Sequence, residues 1–248
     1  MASFSVASTF PWRRVAGAVL ETCFPRTCLG CGRLLGPSLA GYSCQDCRRG
    51  YLLIRGPVCR ACGRPLFGQW SGEPICRSCL EDPPGYGRAR ALLLYRLAGA
   101  RLVHCLKYEN GVWLLPEVER LLREDPQWQD VFRDAALVPV PLHPRKLRRR
   151  GYNQAGLVAR AVNRAVPGTG LEDCLRRIRD TPSQTTLSRT ARQRNLRGAF
   201  RVRHCLDPTR NWMLVDDVLT TGSTLNAAAR ALRQGGAKSI SAFTLARG

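Results

Sequence analysis

The chain has 248 residues, with 39 basic against 18 acidic side chains, a formal net charge of +21 and 44% apolar residues. That length supports a sizeable core, with two units as the working division, and that composition excludes wholesale disorder. No run approaches the roughly 18 consecutive apolar residues of a membrane-spanning helix, and residues 1–24 lack a secretory layout, because Trp12-Arg13-Arg14 stands where an apolar region belongs; a cytoplasmic chain is expected.

The charge excess has two readings. Lys107, Lys146 and Lys238 are the only lysines, so the excess is nearly all arginine, as a GC-rich genome would also produce. The other reading is an acidic or phosphorylated partner, nucleic acid included.

Residues 1–19 form an extension in which Trp12, Val15, Ala16, Val19 and, just beyond it, Leu20 recur at helical spacing, predicting a short amphipathic helix packed on the protein. Residues 20–87 carry the cysteine pattern. Of twelve cysteines, eight come as C-x-x-C pairs: Cys28/Cys31, Cys44/Cys47, Cys59/Cys62 and Cys76/Cys79. A reducing compartment turns such pairs toward metal rather than disulfides, and two thiolates on one turn can face a tetrahedral ion that a second pair encloses. The segment repeats: Cys28-Leu-Gly-Cys-Gly-Arg-Leu-Leu is echoed by Cys59-Arg-Ala-Cys-Gly-Arg-Pro-Leu, with Gly32 and Gly63 where a knuckle turn needs positive φ. The repeat predicts two successive zinc ribbons, 28/31 with 44/47 and 59/62 with 76/79; a cross-braced pairing stays open at this point. Four thiolates close the shell, which makes both zinc ions structural and leaves no position for a substrate. Two such sites lower the net charge by about four. The remaining Cys23, Cys105, Cys174 and Cys205 read as buried small apolar residues.

Glu81-Asp-Pro-Pro-Gly-Tyr-Gly-Arg88 marks a boundary. Over 88–248, strands are predicted at 91–95, 136–141, 199–202, 212–216 and 239–245, and helices at 98–106, 113–123, 152–166 and 223–234. The alternation implies an α/β domain with a mostly parallel central sheet. His143 before Pro144 reads as positional, and His104 and His204 show no partner.

The chemistry is densest at Met213-Leu-Val-Asp-Asp-Val-Leu-Thr-Thr-Gly-Ser-Thr224. An apolar strand delivers Asp216 and Asp217, and Val218 and Leu219 lead into a small-residue loop. Thr220, Thr221, Gly222, Ser223 and Thr224 then open a helix, whose N-terminal amides and dipole suit a phosphate, while paired carboxylates suit ribose hydroxyls. No buried ion pair is expected at these acids. The plain alternative is a capped helix after an acidic turn; neither a Walker-type loop nor G-x-G-x-x-G is present.

This order of strand, paired acids, loop and helix resembles the fingerprint of type I phosphoribosyltransferases. Three further segments are similar to the ComF family: Leu137-Val-Pro-Val-Pro-Leu-His-Pro-Arg-Lys-Leu-Arg-Arg-Arg-Gly-Tyr-Asn-Gln154, the stretch from Arg179 through Arg192 to Phe200, and Leu106-Lys107-Tyr108. The resemblance implies a type I phosphoribosyltransferase fold with a small hood, preceded by a double zinc ribbon. It implies binding of phosphoribosyl pyrophosphate with magnesium by Val218 to Thr224, Lys107, Arg145, Arg150 and Arg192, and transfer with Asp216 and Asp217 as the catalytic acids. The acceptor is not readable. It also implies a link to natural competence and DNA utilisation, with single-stranded DNA or a DNA-uptake helicase as partners; the rival reading is a non-catalytic adaptor that binds phosphoribosyl pyrophosphate or single-stranded DNA. Independently of the resemblance, the run from Arg145 to Arg150 suits a pyrophosphate or forms a solvated loop, and the nine arginines between Arg176 and Arg203 suit a phosphorylated ligand.

Overall fold

A computed structural model describes residues 25–36, 41–70, 72–180 and 196–248. The helix predicted around residues 12–20, Cys23 and Arg192 lie outside the described residues.

Five parallel strands form the central sheet: β1 (Arg88–Leu94), β2 (Ala135–Pro139), β3 (Gly170–Leu171), β6 (Asn211–Leu219) and β7 (Ser239–Arg247), in the order β1-β7-β6-β2-β3. The middle strand shows why its sequence reads as one apolar run. Met213 and Val215 enter a core beneath α3 (Leu97–Tyr108), α4 (Leu115–Arg123) and α7 (Gln154–Ala165), while Trp212 and Leu214 enter a core beneath α8 (Ser223–Gln234). A parallel sheet covered on both faces needs apolar residues at every position.

The hood is a separate antiparallel pair, β4 (Leu175–Arg177) with β5 (Phe200–Val202). The strand predicted at 199–202 therefore belongs to this hood and not to the central sheet. Strand β6 also runs three residues beyond Asp216, so the two acids lie within the strand rather than at its end.

The largest departure from expectation is at 144–150, which forms α6 (Pro144–Arg150). The stretch had two loop readings because only Leu147 offers an apolar face. Its helix is set at the ends: the His143 side chain accepts from Arg145 N, Pro144 opens it, and Gly151 closes it with φ 82°. The predicted positional role for His143 is thus a helix cap. Ahead of α4, a 3₁₀ turn (Gly111–Leu114) replaces the first turn of the predicted helix. Two short helices complete the ribbons, α1 (Gln45–Arg49) and α2 (Arg77–Glu81), and α5 (Gln127–Val131) precedes β2.

The ribbons are seated differently. The first packs on the helical face: Tyr42 meets the Trp113 ring edge-on at 4.6 Å, and Tyr42 N donates to Oε2 of the fully buried Glu117 at 3.2 Å. Between the ribbons, residues 52–54 run antiparallel along β1, through Ile54 N to Leu92 O at 3.0 Å and Leu94 N to Leu52 O at 2.8 Å. This covers the sheet edge that β1 would otherwise expose. The second ribbon sits at β1 and the loop after β6. Cys105 and Cys174 are buried as predicted, but Cys205 is exposed in the connection after β5. His104, predicted to lack a partner, has its Nδ1 3.1 Å from Glu109 Oε1.

Candidate functional site

The eight cysteines fall into two groups, Cys28, Cys31, Cys44, Cys47 and Cys59, Cys62, Cys76, Cys79, each with all sulfurs within 4.8 Å of one another. The predicted sequential pairing holds and cross-bracing is excluded. Zinc–sulfur bonds of about 2.3 Å at tetrahedral angles place sulfurs about 3.8 Å apart. Cys31 and Cys44 sulfurs stand at 3.9 Å, Cys62 and Cys76 at 3.8 Å. Gly32 and Gly63 take φ 71° and 67°, as the knuckle requires. Each leading thiol is prepared for a metal: burial raises Cys28, but the N–H groups of Cys44, Cys31 and Gly30 outweigh it and bring the thiol to about 6. In the second cluster the N–H groups of Cys76 and Cys62 likewise overcome burial and bring Cys59 to about 7. The donor set therefore fits two structural zinc ions.

The second centre lies at the carboxyl ends of β6 and β7. Asp217 Oδ1 receives Lys107 Nζ at 3.1 Å, both side chains being largely buried, so an ion pair that the sequence did not announce holds the acid pair to the end of α3. Asp216 accepts from Asp217 N at 2.9 Å. Enclosure and the neighbouring Asp217 carboxylate push its carboxyl up to about 7, against the pull of Lys107 and Arg177. Lys107 moves upward because Asp217 and Asp216 outweigh its burial. From the hood, Arg177 presents a guanidinium whose pKa burial lowers and whose field reaches Asp216.

Past Leu219 the chain turns at Thr220–Gly222 into α8. Gly222 has φ 75°, which favours glycine, and a Cβ there would meet the Tyr86 hydroxyl at a tight 3.0 Å. Thr221 Oγ1 and Ser223 Oγ lie 3.0 Å apart. The first-turn amides of α8 have no intrahelical acceptor and face the loop. Arg247 Nη1 donates to Leu219 O at 2.9 Å and Thr220 O at 3.1 Å.

The structure thus brings together Lys107, Asp216, Asp217 and the 218–224 turn. Arg150 joins them at one remove, its guanidinium 5.5 Å over the Tyr108 ring, and Tyr152 Oη donates to Leu106 O at 2.7 Å, tying the Arg-Gly-Tyr-Asn-Gln segment to the Lys107-Tyr108 element. Arg145, at the far end of α6, is exposed and pairs with Asp180 at 3.6 Å, away from the acids. Sequence reasoning included Arg177 only as one of the nine arginines suited to a phosphorylated ligand, and it gave no site role to Tyr86, Asn226 or Arg247.

Comparison with known proteins agrees with both halves. Residues 19–80 match the double zinc ribbon domain family and residues 147–248 the phosphoribosyl transferase domain family. Competence protein F of Haemophilus influenzae is 30% identical over 222 residues, covering 83% of this chain and 97% of that protein. DNA utilization protein YhgH of Escherichia coli K12 is 31% identical, covering 77% and 84%, and Competence protein ComFC of Bacillus subtilis 29% identical, covering 82% and 83%. With two four-cysteine ribbons ahead of a parallel sheet that carries the paired acids and glycine turn, the chain belongs to the ComF family.

Proposed function

We propose that this chain binds phosphoribosyl pyrophosphate at the 216–224 turn and transfers its phosphoribosyl group to an acceptor, releasing pyrophosphate, in the service of DNA utilisation. The observation that supports this most is the juxtaposition of a buried-side acid pair, held by Lys107, with a glycine turn that opens the twelve-residue α8. In this reading the 5-phosphate sits on the amides of 220–224, and the ribose hydroxyls donate to Asp216 and Asp217. The bond from the anomeric carbon to pyrophosphate breaks as the acceptor bonds to that carbon, and the acids steady the positive charge that develops on the ribose. Lys107, Arg150 and Arg177 balance the negative charge of the ligand. Magnesium takes hard oxygen donors such as these carboxylates and would neutralise the leaving pyrophosphate.

With phosphoribosyl pyrophosphate and magnesium at about 100 times the dissociation constant, the wild type should gain roughly 2.7 kcal/mol of stability. Asp216→Asn with Asp217→Asn should lose most of that gain, as thermal unfolding will show; an undiminished gain removes the acids from the site. Pyrophosphate release in the presence of candidate acceptors separates an enzyme from a binder.

A second reading, binding of single-stranded DNA, is favoured by one surface. Arg145, Arg148 and Arg149 are exposed together on α6, and the relatives carry names from competence and DNA utilisation. Each phosphate contact on a single strand contributes a slope of about −0.7 to log affinity against log salt, so replacing all three by alanine should flatten the slope by about two units. A slope unchanged by the triple substitution would remove this surface from DNA binding.

A further inference from the structure

The two ribbons have unequal relations to the phosphate turn. The first touches the helical face through Tyr42, Trp113 and Glu117, on the opposite layer from α8. In the second, the knuckle glycine Gly63 is pressed onto β1 so closely that a Cβ would stand 2.9 Å from Ala89 O. A cavity of about 180 Å³ has Cys62, Cys76 and Cys79 on one wall and Thr220, Thr221 and Asn226 on the other. Tyr86 and Arg247 also line it, and both are buried.

We propose that the second zinc ribbon braces the phosphate turn, with Tyr86, Asn226 and Arg247 as its positioning residues. The brace rests on the reading of that turn as a phosphoribosyl site for its purpose, but not for its mechanics. Two contacts transmit it from the ribbon connector, and a third, from the end of β7, holds the same turn. Gly85 N, in the connector that leaves the ribbon, donates to Asn226 Oδ1 in the first turn of α8 at 2.6 Å. The Tyr86 hydroxyl fills the space over the left-handed Gly222. Arg247 fixes the carbonyls of Leu219 and Thr220. A trans peptide is planar, with its N–H opposed to its carbonyl, so anchoring those two oxygens on Arg247 turns the amides of Thr220 and Thr221 away from the guanidinium. Those amides are the ones a phosphate would use. A turn of small residues has few side-chain contacts of its own, so its shape must come from neighbours, and the ribbon connector is the neighbour in place.

The test is amide hydrogen exchange across 218–227 in the full zinc-loaded chain. Asn226→Ala, which takes the acceptor from Gly85, should speed exchange there about tenfold, the scale of one net hydrogen bond. Asn226→Asp keeps an acceptor and should stay near wild type. Cys79→Ser should speed exchange in the same peptides, whereas Tyr42→Ala, which loosens the first ribbon from Trp113, should not. Affinity for magnesium phosphoribosyl pyrophosphate should fall about tenfold in Asn226→Ala and stay unchanged in Tyr42→Ala. If exchange responds as stated while the wild type binds no phosphoribosyl pyrophosphate, the brace stands and the ligand reading falls. Exchange at 218–227 that is equal in wild type, Asn226→Ala and Cys79→Ser overturns the brace whatever the turn binds.

Discussion

Purified protein should carry two zinc ions per chain, and Cys28→Ser or Cys59→Ser should bring the count to about one while unfolding the ribbon concerned. Each metal cluster has a small apolar core of its own, although Leu29 and Tyr51 of the first ribbon join the main core. Beyond the cysteines, among the described residues, the second cluster's own buried core adds Ala61, with Leu66 and Ile75 packed beside it, and the first adds Leu35. Metal binding in such modules is worth roughly 10–16 kcal/mol at neutral pH, which exceeds what so few apolar side chains contribute. Cys105→Ser is the matched control: that thiol is buried in α3 and donates to Glu109 Oε2 at 3.0 Å, an exchange a hydroxyl can repeat. Elemental analysis reads the count and a melting curve the fold. Equal losses from Cys105→Ser and Cys28→Ser would show that the four-thiolate clusters are not what holds the module.

Lys107→Met should lower the melting temperature by about 5 °C at pH 8 and by clearly less at pH 5. Removing one partner of a buried pair costs about 3 kcal/mol or more, and the remaining exposure of Lys107 and Asp217 reduces this to about half, each kcal/mol being about 2–4 °C for a chain of this size. The pH dependence follows from Asp216. Its folded-state pKa is raised to about 7, so between its unfolded value near 4 and pH 7 the folded state holds the extra proton, and stability falls as pH rises through that window. At pH 5 Asp216 holds its proton and gains little from the ammonium; at pH 8 it is ionised in the wild type, and losing Lys107 also removes the pull that favours that ionisation. Adding Asp217→Asn to Lys107→Met should recover most of the loss. If the single variant melts equally below wild type at both pH values, Lys107 is packing there and not balancing charge.

How much of this was readable in sequence depended on distance along the chain. The clusters were legible because each ligand pair is four residues long and the whole motif repeats. The turn was legible because Asp216 to Thr224 is one continuous segment, and α8 occupies the predicted 223–234. Helix α6 escaped because a two-turn helix with one apolar residue has no periodicity to detect; its signals were only Pro144 and Gly151 at its ends. Strand β5 was legible at 199–202, but β4 and its pairing with β5 escaped because β4 is three residues long and the two meet across more than twenty. The Lys107–Asp217 pair, the field of Arg177 at Asp216 and the Gly85–Asn226 bond join residues far apart in sequence, and no local pattern encodes such meetings.

The sheet's strand order has a consequence for synthesis. β1 precedes every other strand in the chain, yet its sheet partner is β7, with Arg88 opposite Ser241. A ribosome therefore delivers β1 early and cannot supply its neighbour until some 150 residues later. The ribbons, complete by Cys79, can take up zinc while the rest is still being made. Through residues 52–54 they can shield one side of β1 in the interval. Starved of zinc during translation, the nascent chain would expose that strand on both sides, and the yield of correctly folded protein would be set by metal supply at the ribosome rather than by the stability of the finished molecule.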